Sequence, residues 1–487
     1  MVASAIVFLL YIVLLVAIGI ITYMRTKSSK DYMLAGRANN KWVTAISAES
    51  SDMSGWLLMG LPGAAYSMGF AAIWTLIGLL FGTMLNWMIS ANRLRVASEV
   101  YDCLSVTEFF EKRVNDTKGT VGLISGIAVL IIMIINSSAE IIGSGKLLNA
   151  TFGLDYSTGI IIAMFIVIVY TFLGGYMAVS WSNLFQGSLM FFVMLFVPII
   201  VIFKMGGLND FVATMSQTEG FFHWTNGLTG FGAFSTIAGC IGIGVCYFGV
   251  VHVLTCFMSI KDSSEIKDST FIGTTWVSIT SYAAVIIGML GAFLFPTIAD
   301  PEQVFFQMGK DYFPAGLLGL FAATVMAAIL SSVSAYIIVA TGAVSTNIVK
   351  HFVKDLDDKK TVMISRISVL VIAVLAYLMS LNSGVVFAVA LLATALLGSC
   401  FGPLVLMSLY TKNVNKTGAI ASILTGLIVV IVWYYSGLSN YIYEAVPGMV
   451  ISAIVLVVVT NLTGGPSADS VAKYEEFERE IAARKEH

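Results

Sequence analysis

Apolar residues run in blocks of about twenty along nearly the whole chain, the length a helix needs to cross the hydrocarbon layer of a bilayer. Thirteen spans are predicted, near 3–24, 42–70, 72–97, 119–150, 157–180, 184–206, 229–258, 270–295, 314–347, 361–382, 384–410, 416–436 and 443–462. The polar–apolar alternation of a membrane β-barrel is missing from these blocks. The expected fold class is therefore an all-α membrane protein with 13 transmembrane helices. The first block, Val2–Tyr23, has no leading positive charges and no small-residue cleavage site, so it reads as a retained helix and not a signal peptide. The pattern changes after Gly465. Val471, Tyr474, Phe477 and Ile481 form a narrow apolar stripe at helical spacing. Glu475–Arg479 and Glu480–Arg484 are spaced for ion pairs along one helix. Residues 1–465 thus form a polytopic domain, and 466–487 a short amphipathic tail that lies along the membrane or docks on the protein.

Composition agrees: 58% of the 487 residues are apolar and 11% charged, against about 25% charged in soluble domains. Of the 26 Lys and Arg residues, all but Lys146, Lys204 and Lys310 fall on one side of the thirteen-span layout. Basic connections stay in the cytoplasm, so the N-terminus is expected outside and the C-terminus inside, in a multi-pass protein of the cell membrane. The net charge of −2 carries no sign of a nucleic-acid partner. The five cysteines lack metal-ligand spacing, and four sit in apolar segments, where they read as buried free thiols. No nucleophile–base pair or metal cluster is visible, so an enzyme is not expected. Membrane lipid and a small polar solute are the implied partners, with no obligatory protein partner evident.

Candidate chemistry concentrates in three spans. Span two carries Glu49 and then Ser50-Ser51-Asp52-Met53-Ser54-Gly55-Trp56-Leu57-Leu58-Met59-Gly60-Leu61-Pro62-Gly63. Carboxylates at membrane depth are costly and mark sites. Gly and Pro let the helix break and turn bare carbonyls toward an ion. Span nine holds Ala328, Ser331 and Ser332 at i, i+3 and i+4, which puts two hydroxyls and a carbonyl on one face. Hard cations such as sodium take oxygen ligands of these kinds. Span seven has four glycines between Gly239 and Gly249 and reads as a second broken helix. There Tyr247 either lines a cavity or packs with its hydroxyl satisfied, and His252 reads as a hydrogen-bonded structural histidine. Breaks in spans two and seven, five apart, point to an inverted repeat with a site near the midplane.

These segments resemble the sodium/solute symporter family, most closely its proline-carrying members. The resemblance rests on Ser51-Asp52-Met53-Ser54-Gly55-Trp56-Leu57-Leu58-Met59-Gly60-Leu61-Pro62-Gly63-Ala64, on Thr171-Phe172-Leu173-Gly174-Gly175-Tyr176-Met177-Ala178-Val179-Ser180-Trp181, on Tyr247-Phe248-Gly249-Val250-Val251-His252, and on Ala328-Ile329-Leu330-Ser331-Ser332. It implies a core of two inverted five-helix repeats, about 42–206 and 229–410, working by sodium-driven alternating access. Position by position it implies a sodium site of the Ser50, Met53 and Ala328 carbonyls with the Ser331 and Ser332 hydroxyls. Asp52, with Ser54 and Gly55, organises that site for coupling. Asn183 and Ala335 stand where some members place an aspartate and a serine for a second sodium, so one ion is expected. The resemblance weakens in the solute pocket. Asn136, Ile243 and Val251 replace a Tyr, a Trp and a Pro, while Tyr247 is kept. The expected solute-binding residues are Glu49, Trp56, Asn136, Glu140, Ile243, Tyr247 and Val251. Asn136 and Glu140 share a helix face, and Glu140 is expected at an outer vestibule, favouring an amine-bearing solute or carrying a proton.

The expected function is sodium-coupled import of a small polar solute, an amino acid such as proline or a related amine. A proton-coupled carrier using Glu49 or Glu140, or a membrane solute sensor, are the alternatives.

Overall fold

In lipid a backbone must satisfy its own N–H and C=O groups, and helices do so within one segment. The computed structural model, which describes residues 2–216, 223–225, 227–353, 356–381 and 386–485, follows that rule. Among the described residues there is no strand, only an isolated bridge between Asn39 and Ile260. The elements used below are α1 (Val2–Tyr23), α2 (Lys41–Gly55), α3 (Leu61–Met68), α4 (Ile73–Asn86), α5 (Thr120–Phe152), α6 (Tyr156–Lys204), α7 (Gly230–Val245), α8 (Val251–Ser259), α9 (Ile266–Leu294), α10 (Leu318–Ala343), α11 (Asp358–Ser380), α12 (Val386–Tyr410), α13 (Lys416–Tyr435), α14 (Ala445–Leu462) and α15 (Ala468–Lys485).

Among the described residues, eleven helical runs are long and apolar enough to cross a membrane, where the sequence reading expects thirteen spans. Two of the eleven, Lys41–Val100 and Tyr156–Lys204, have 60 and 49 residues and each contains two expected spans. Both contain a glycine with positive φ, Gly69 (φ 57°) and Gly175 (φ 57°). At Gly175 a Cβ would also lie 2.6 Å from the Tyr32 carbonyl oxygen, so both conformation and space call for glycine. The start expected for span eleven, 384–385, and the last two residues of the tail lie outside the described residues.

Helix α10 is the centre of the molecule. Apolar or small all round, it is buried along its length and packs against α5, α6 and α2. Helices α1, α11, α13 and α14 lie outside it, with about a third of the residues in their apolar stretches buried. The glycines of α7 have a packing role that periodicity could not reveal. A Cβ on Gly82 would collide with the Gly244 backbone, and one on Gly244 would collide with Gly78. Helices α4 and α7 therefore meet backbone to backbone, as small residues permit inside membranes.

The basic connections gather on one face. Arg37 donates to the Ser98 and Cys103 carbonyls, and Arg95 to those of Ile260 and Lys261. Arg113 reaches the Ser408 and Thr411 carbonyls, and Lys416 pairs with Asp116 at 2.8 Å. The tail helix α15 docks on this same face, burying Tyr474, Phe477 and Ile481. Arg93 pairs with Glu478 and lies over the Phe477 ring, and Arg484 reaches Glu99 at 2.8 Å. Of the three exceptions to the charge pattern, Lys146 pairs with Glu302 at 3.2 Å and Lys204 donates to the Tyr312 carbonyl. All five cysteines are free; four are buried and Cys240 is half-buried.

Candidate cation and solute site

Helix α2 starts from Asn40, whose side chain accepts from the amides of Trp42 and Val43. Its regular course stops at Ser54 (φ 46°, ψ −169°), a left-handed conformation that costs a non-glycine residue about 1–3 kcal/mol. A wide turn over Trp56–Gly60 leads into α3, with Pro62 in its first turn. The amides freed by the interruption find partners. Trp56 N–H donates to Ser54 Oγ at 3.1 Å, and Gly55 N–H to Glu140 Oε2 at 3.0 Å.

Across from the interruption stands α10. Ser331 Oγ lies 2.8 Å from the Ser50 carbonyl oxygen and 2.9 Å from that of Ala328, and Ser332 Oγ lies 3.2 Å from the latter. The Met53 carbonyl oxygen is one turn away and accepts from Trp56 N–H. The Ser50 and Ala328 carbonyls and two hydroxyls thus meet in a buried seam between α2 and α10, two hard oxygen types from two helices. Asn183 faces the same part of α2, donating to Ser47 Oγ and accepting from Ser50 Oγ, each at 3.2 Å.

A second irregular stretch lies between α7 and α8. Tight turns run over Cys246–Gly249, and Val250 (φ −75°, ψ 89°) leaves the helical region. The Tyr247 carbonyl exposed there accepts from Asn86 Nδ2 at 2.9 Å. Gly249 packs against the Leu397 carbonyl and Gly398 of α12, leaving no room for a Cβ.

Between the two irregular stretches is a cavity of about 50 Å³, space for roughly three or four waters. Its wall takes Asp52, Met53, Ser54 and Trp56 from the first interruption, and Ile243, Tyr247, Val250 and His252 from the second. Asn136 of α5, Tyr336 of α10, Leu79 of α4 and, from α12, Ala390, Leu391, Thr394 and Leu397 complete it. Asp52 Oδ1 lies 3.4 Å from His252 Nε2. Asp52 Oδ2 and both ring nitrogens of His252 have no hydrogen-bond partner. Tyr336 presents an edge to the His252 ring, 4.8 Å between centroids.

The structure brings most of the sequence-predicted residues together and sets three apart. Asp52, Met53, Ser54, Trp56, Asn136, Ile243 and Tyr247 share the cavity wall, while Ser50, Ala328, Ser331 and Ser332 form the seam beside it. Glu49, Glu140 and Val251, expected to bind solute, are off the wall. Glu49 is buried behind it, accepting from Trp87 Nε1 at 2.6 Å. Glu140 is likewise buried, turned onto Gly55 and not into a vestibule. Val251 lines a different small cavity with Ser105, Thr255 and Ile338. Sequence reasoning missed His252, Tyr336 and Thr394 as wall residues. Tyr336 follows Ser332 by four and shares its helix face, a signal available in the sequence. Thr394 carries no such signal. His252 is not held by hydrogen bonds as a structural histidine would be.

Broken helices that gather polar groups around a small cavity inside a helical membrane protein define a solute carrier as the class. The chain belongs to the sodium:solute symporter family, whose profile matches residues 32–426. It is similar to the high-affinity proline transporter PutP of Bacillus subtilis (35% identical over 95% of this chain and 98% of that one). It is also similar to the osmoregulated proline transporter OpuE of the same organism (33%, 98% and 98%) and to the sodium/proline symporter of Staphylococcus aureus (36%, 94% and 92%). Among solved structures, a sodium-coupled sialic acid symporter in a substrate-bound outward-open state superposes with TM-score 0.81 at 18% identity, over 96% of this chain and 99% of that one. A nucleobase-cation-symport-1 transporter gives 0.57 at 12% identity, over 92% and 98%. These two establish the shared fold.

Proposed function

We propose that the protein imports proline or a closely related amino acid by sodium symport with alternating access. The observation that carries this reading is the seam in which the Ser331 and Ser332 hydroxyls and the Ala328 carbonyl meet the Ser50 carbonyl beside the interruption of α2. With the Met53 carbonyl, these oxygens would hold one sodium ion. Rotation of the two hydroxyls turns their lone pairs toward the ion and releases the carbonyls they now cap. Asp52, next to the seam and on the cavity wall, adds a charge that serves cation and solute together. Asn183 brings no charge and Ala335 no hydroxyl to the place of a second ion, which supports a single ion. The solute occupies the neighbouring cavity, which has room for a few waters and widens to take proline, and whose Asp52 carboxylate and His252 ring suit a zwitterion.

The 60- and 49-residue runs, turning at Gly69 and Gly175, account for two crossings each. That reading restores thirteen spans and the repeats at 42–206 and 229–410, with 1–465 as the transporter domain. The N-terminus would then lie outside and the docked tail, 466–487, in the cytoplasm of a cell-membrane protein. Proton coupling through Glu49 or Glu140 loses support, because each carboxylate is engaged by an N–H donor away from the cavity.

Reconstituted into liposomes, the protein should accumulate labelled proline when an inward sodium gradient is imposed. Accumulation should stop when choline replaces sodium at constant pH. Uptake that is indifferent to this replacement would refute sodium coupling. Competition by unlabelled amino acids in the same assay identifies the preferred solute.

A further inference from the structure

Glu140 is buried in the middle of α5, one turn beyond Asn136. Asn136 reaches the cavity wall; Glu140 does not. Its Oε2 accepts instead from the backbone amide of Gly55, at 3.0 Å. Gly55 directly follows Ser54, the residue whose left-handed φ interrupts α2. A helix that restarts after an interruption has amides with no intrahelical acceptor, and its positive end favours an anion. Here the chain supplies that anion itself. The carboxylate is also wedged in place: a Cβ on Gly55 would lie 2.9 Å from Glu140 Oε2 and 3.1 Å from Ile329 Cγ1, the residue after Ala328. One carboxylate of α5 thus holds the interruption of α2 at the point where α2 also meets Ile329 of α10.

We propose that Glu140 is a positioning residue: it fixes the interruption of α2 so that the oxygens of α2 and α10 face one another, and it sets sodium affinity without touching the solute. This rests on the sodium reading of that seam. The gap between the helices is only as constant as the turn at Ser54, and a strained turn persists when its surroundings over-determine it. The hydrogen bond from the next amide to the Glu140 side chain is such a restraint.

Thermal unfolding of the purified protein, titrated with NaCl and held at constant ionic strength with choline chloride, reads sodium binding without any solute. Relative to wild type, Glu140→Ala should need about tenfold more sodium, or more, for half of the stabilisation. Glu140→Gln keeps an oxygen for the Gly55 amide and should stay within about threefold. Glu140→Asp keeps the charge but is one methylene too short, so it should behave like the alanine variant. In liposomes at saturating sodium, the KM for proline should stay within about twofold in all three variants, because only the ion site is disturbed. Unchanged sodium dependence in the alanine or aspartate variant overturns the proposal. A raised proline KM with unchanged sodium dependence also overturns it and makes Glu140 a solute contact. Should the alanine variant fail to fold, the aspartate–glutamine pair decides alone. Wild-type protein that gains no stability from sodium would remove the sodium reading itself, an outcome visible in the control titration.

Discussion

At the scale of single residues, the oxygen seam makes the sharpest demand. Ser332 is buried and offers its hydroxyl to the Ala328 carbonyl. A hydroxyl facing a charge is worth about 1.5–3 kcal/mol. Ser332→Ala should therefore raise the half-saturating sodium concentration of uptake by about tenfold or more, with solute KM at saturating sodium little changed. Sodium-dependence curves at fixed proline check this. These residues were legible in the sequence because Ala328, Ser331 and Ser332 obey helical spacing and the Ser50–Gly63 stretch is long and specific. Glu140 was visible as an intramembrane carboxylate but not in its role. Its partner, the Gly55 amide, lies 85 positions away, and local patterning says nothing at that range. Glu49 hides its partner in the same way, since Trp87 belongs to a different helix. His252 illustrates the opposite error, a residue assigned to packing that stands on the cavity wall with its ring 3.4 Å from Asp52 Oδ1.

Helices bring a different lesson. The glycines of α7 suggested weakness, yet Gly244 is where α4 makes backbone contact. Even one added methyl cannot be absorbed there, because the obstructing atoms are main chain. Gly82→Ala should lower stability by about 1–3 kcal/mol, read as a drop in the thermal midpoint, and should impair uptake because α7 leads directly into the irregular turn at Cys246–Gly249. The tail was legible as an amphipathic helix, but its docking was not, since the sequence left membrane surface and protein surface equal. Phe477 is fully buried, against Tyr474 and beneath Arg93. Phe477→Ala should cost the docked helix about 3–5 kcal/mol, and amide hydrogen exchange over residues 92–113 should accelerate while α10 stays protected.

For the whole molecule, charge carried more information than hydropathy. Apolar blocks divide the 60- and 49-residue runs into two expected spans each, while Lys and Arg clusters mark which connections share a face. The structure brings those connections together through specific bonds. Asp116 is the clearest case. It accepts from the amides of Val121 and Lys118 and pairs with Lys416, joining the start of α5 to the start of α13. Burial alone would raise its pKa, but the Lys416 ammonium and the two amides outweigh that and hold it below the usual carboxylate value. A depressed folded-state pKa contributes stability above the unfolded value, about 4, and loses it as pH falls through the folded value. Acidification from pH 5 to about pH 3 should therefore lower the unfolding midpoint of the wild type more steeply than that of Asp116→Asn.

The bare contact between α4 and α7 also constrains how the molecule can move. Two main chains touching through Gly78, Gly82 and Gly244 have no intervening side chains to serve as rollers, so sliding would drive one ribbon into the other. The pair must travel as a single plate. The oxygen seam to α10 has rotatable hydroxyls and no such interlock. Spin labels on α4 and α7 should keep one distance distribution with and without sodium and proline, while labels on α4 and α10 should shift. Cargo would then be released along the edge of a moving plate that slips past a stationary post.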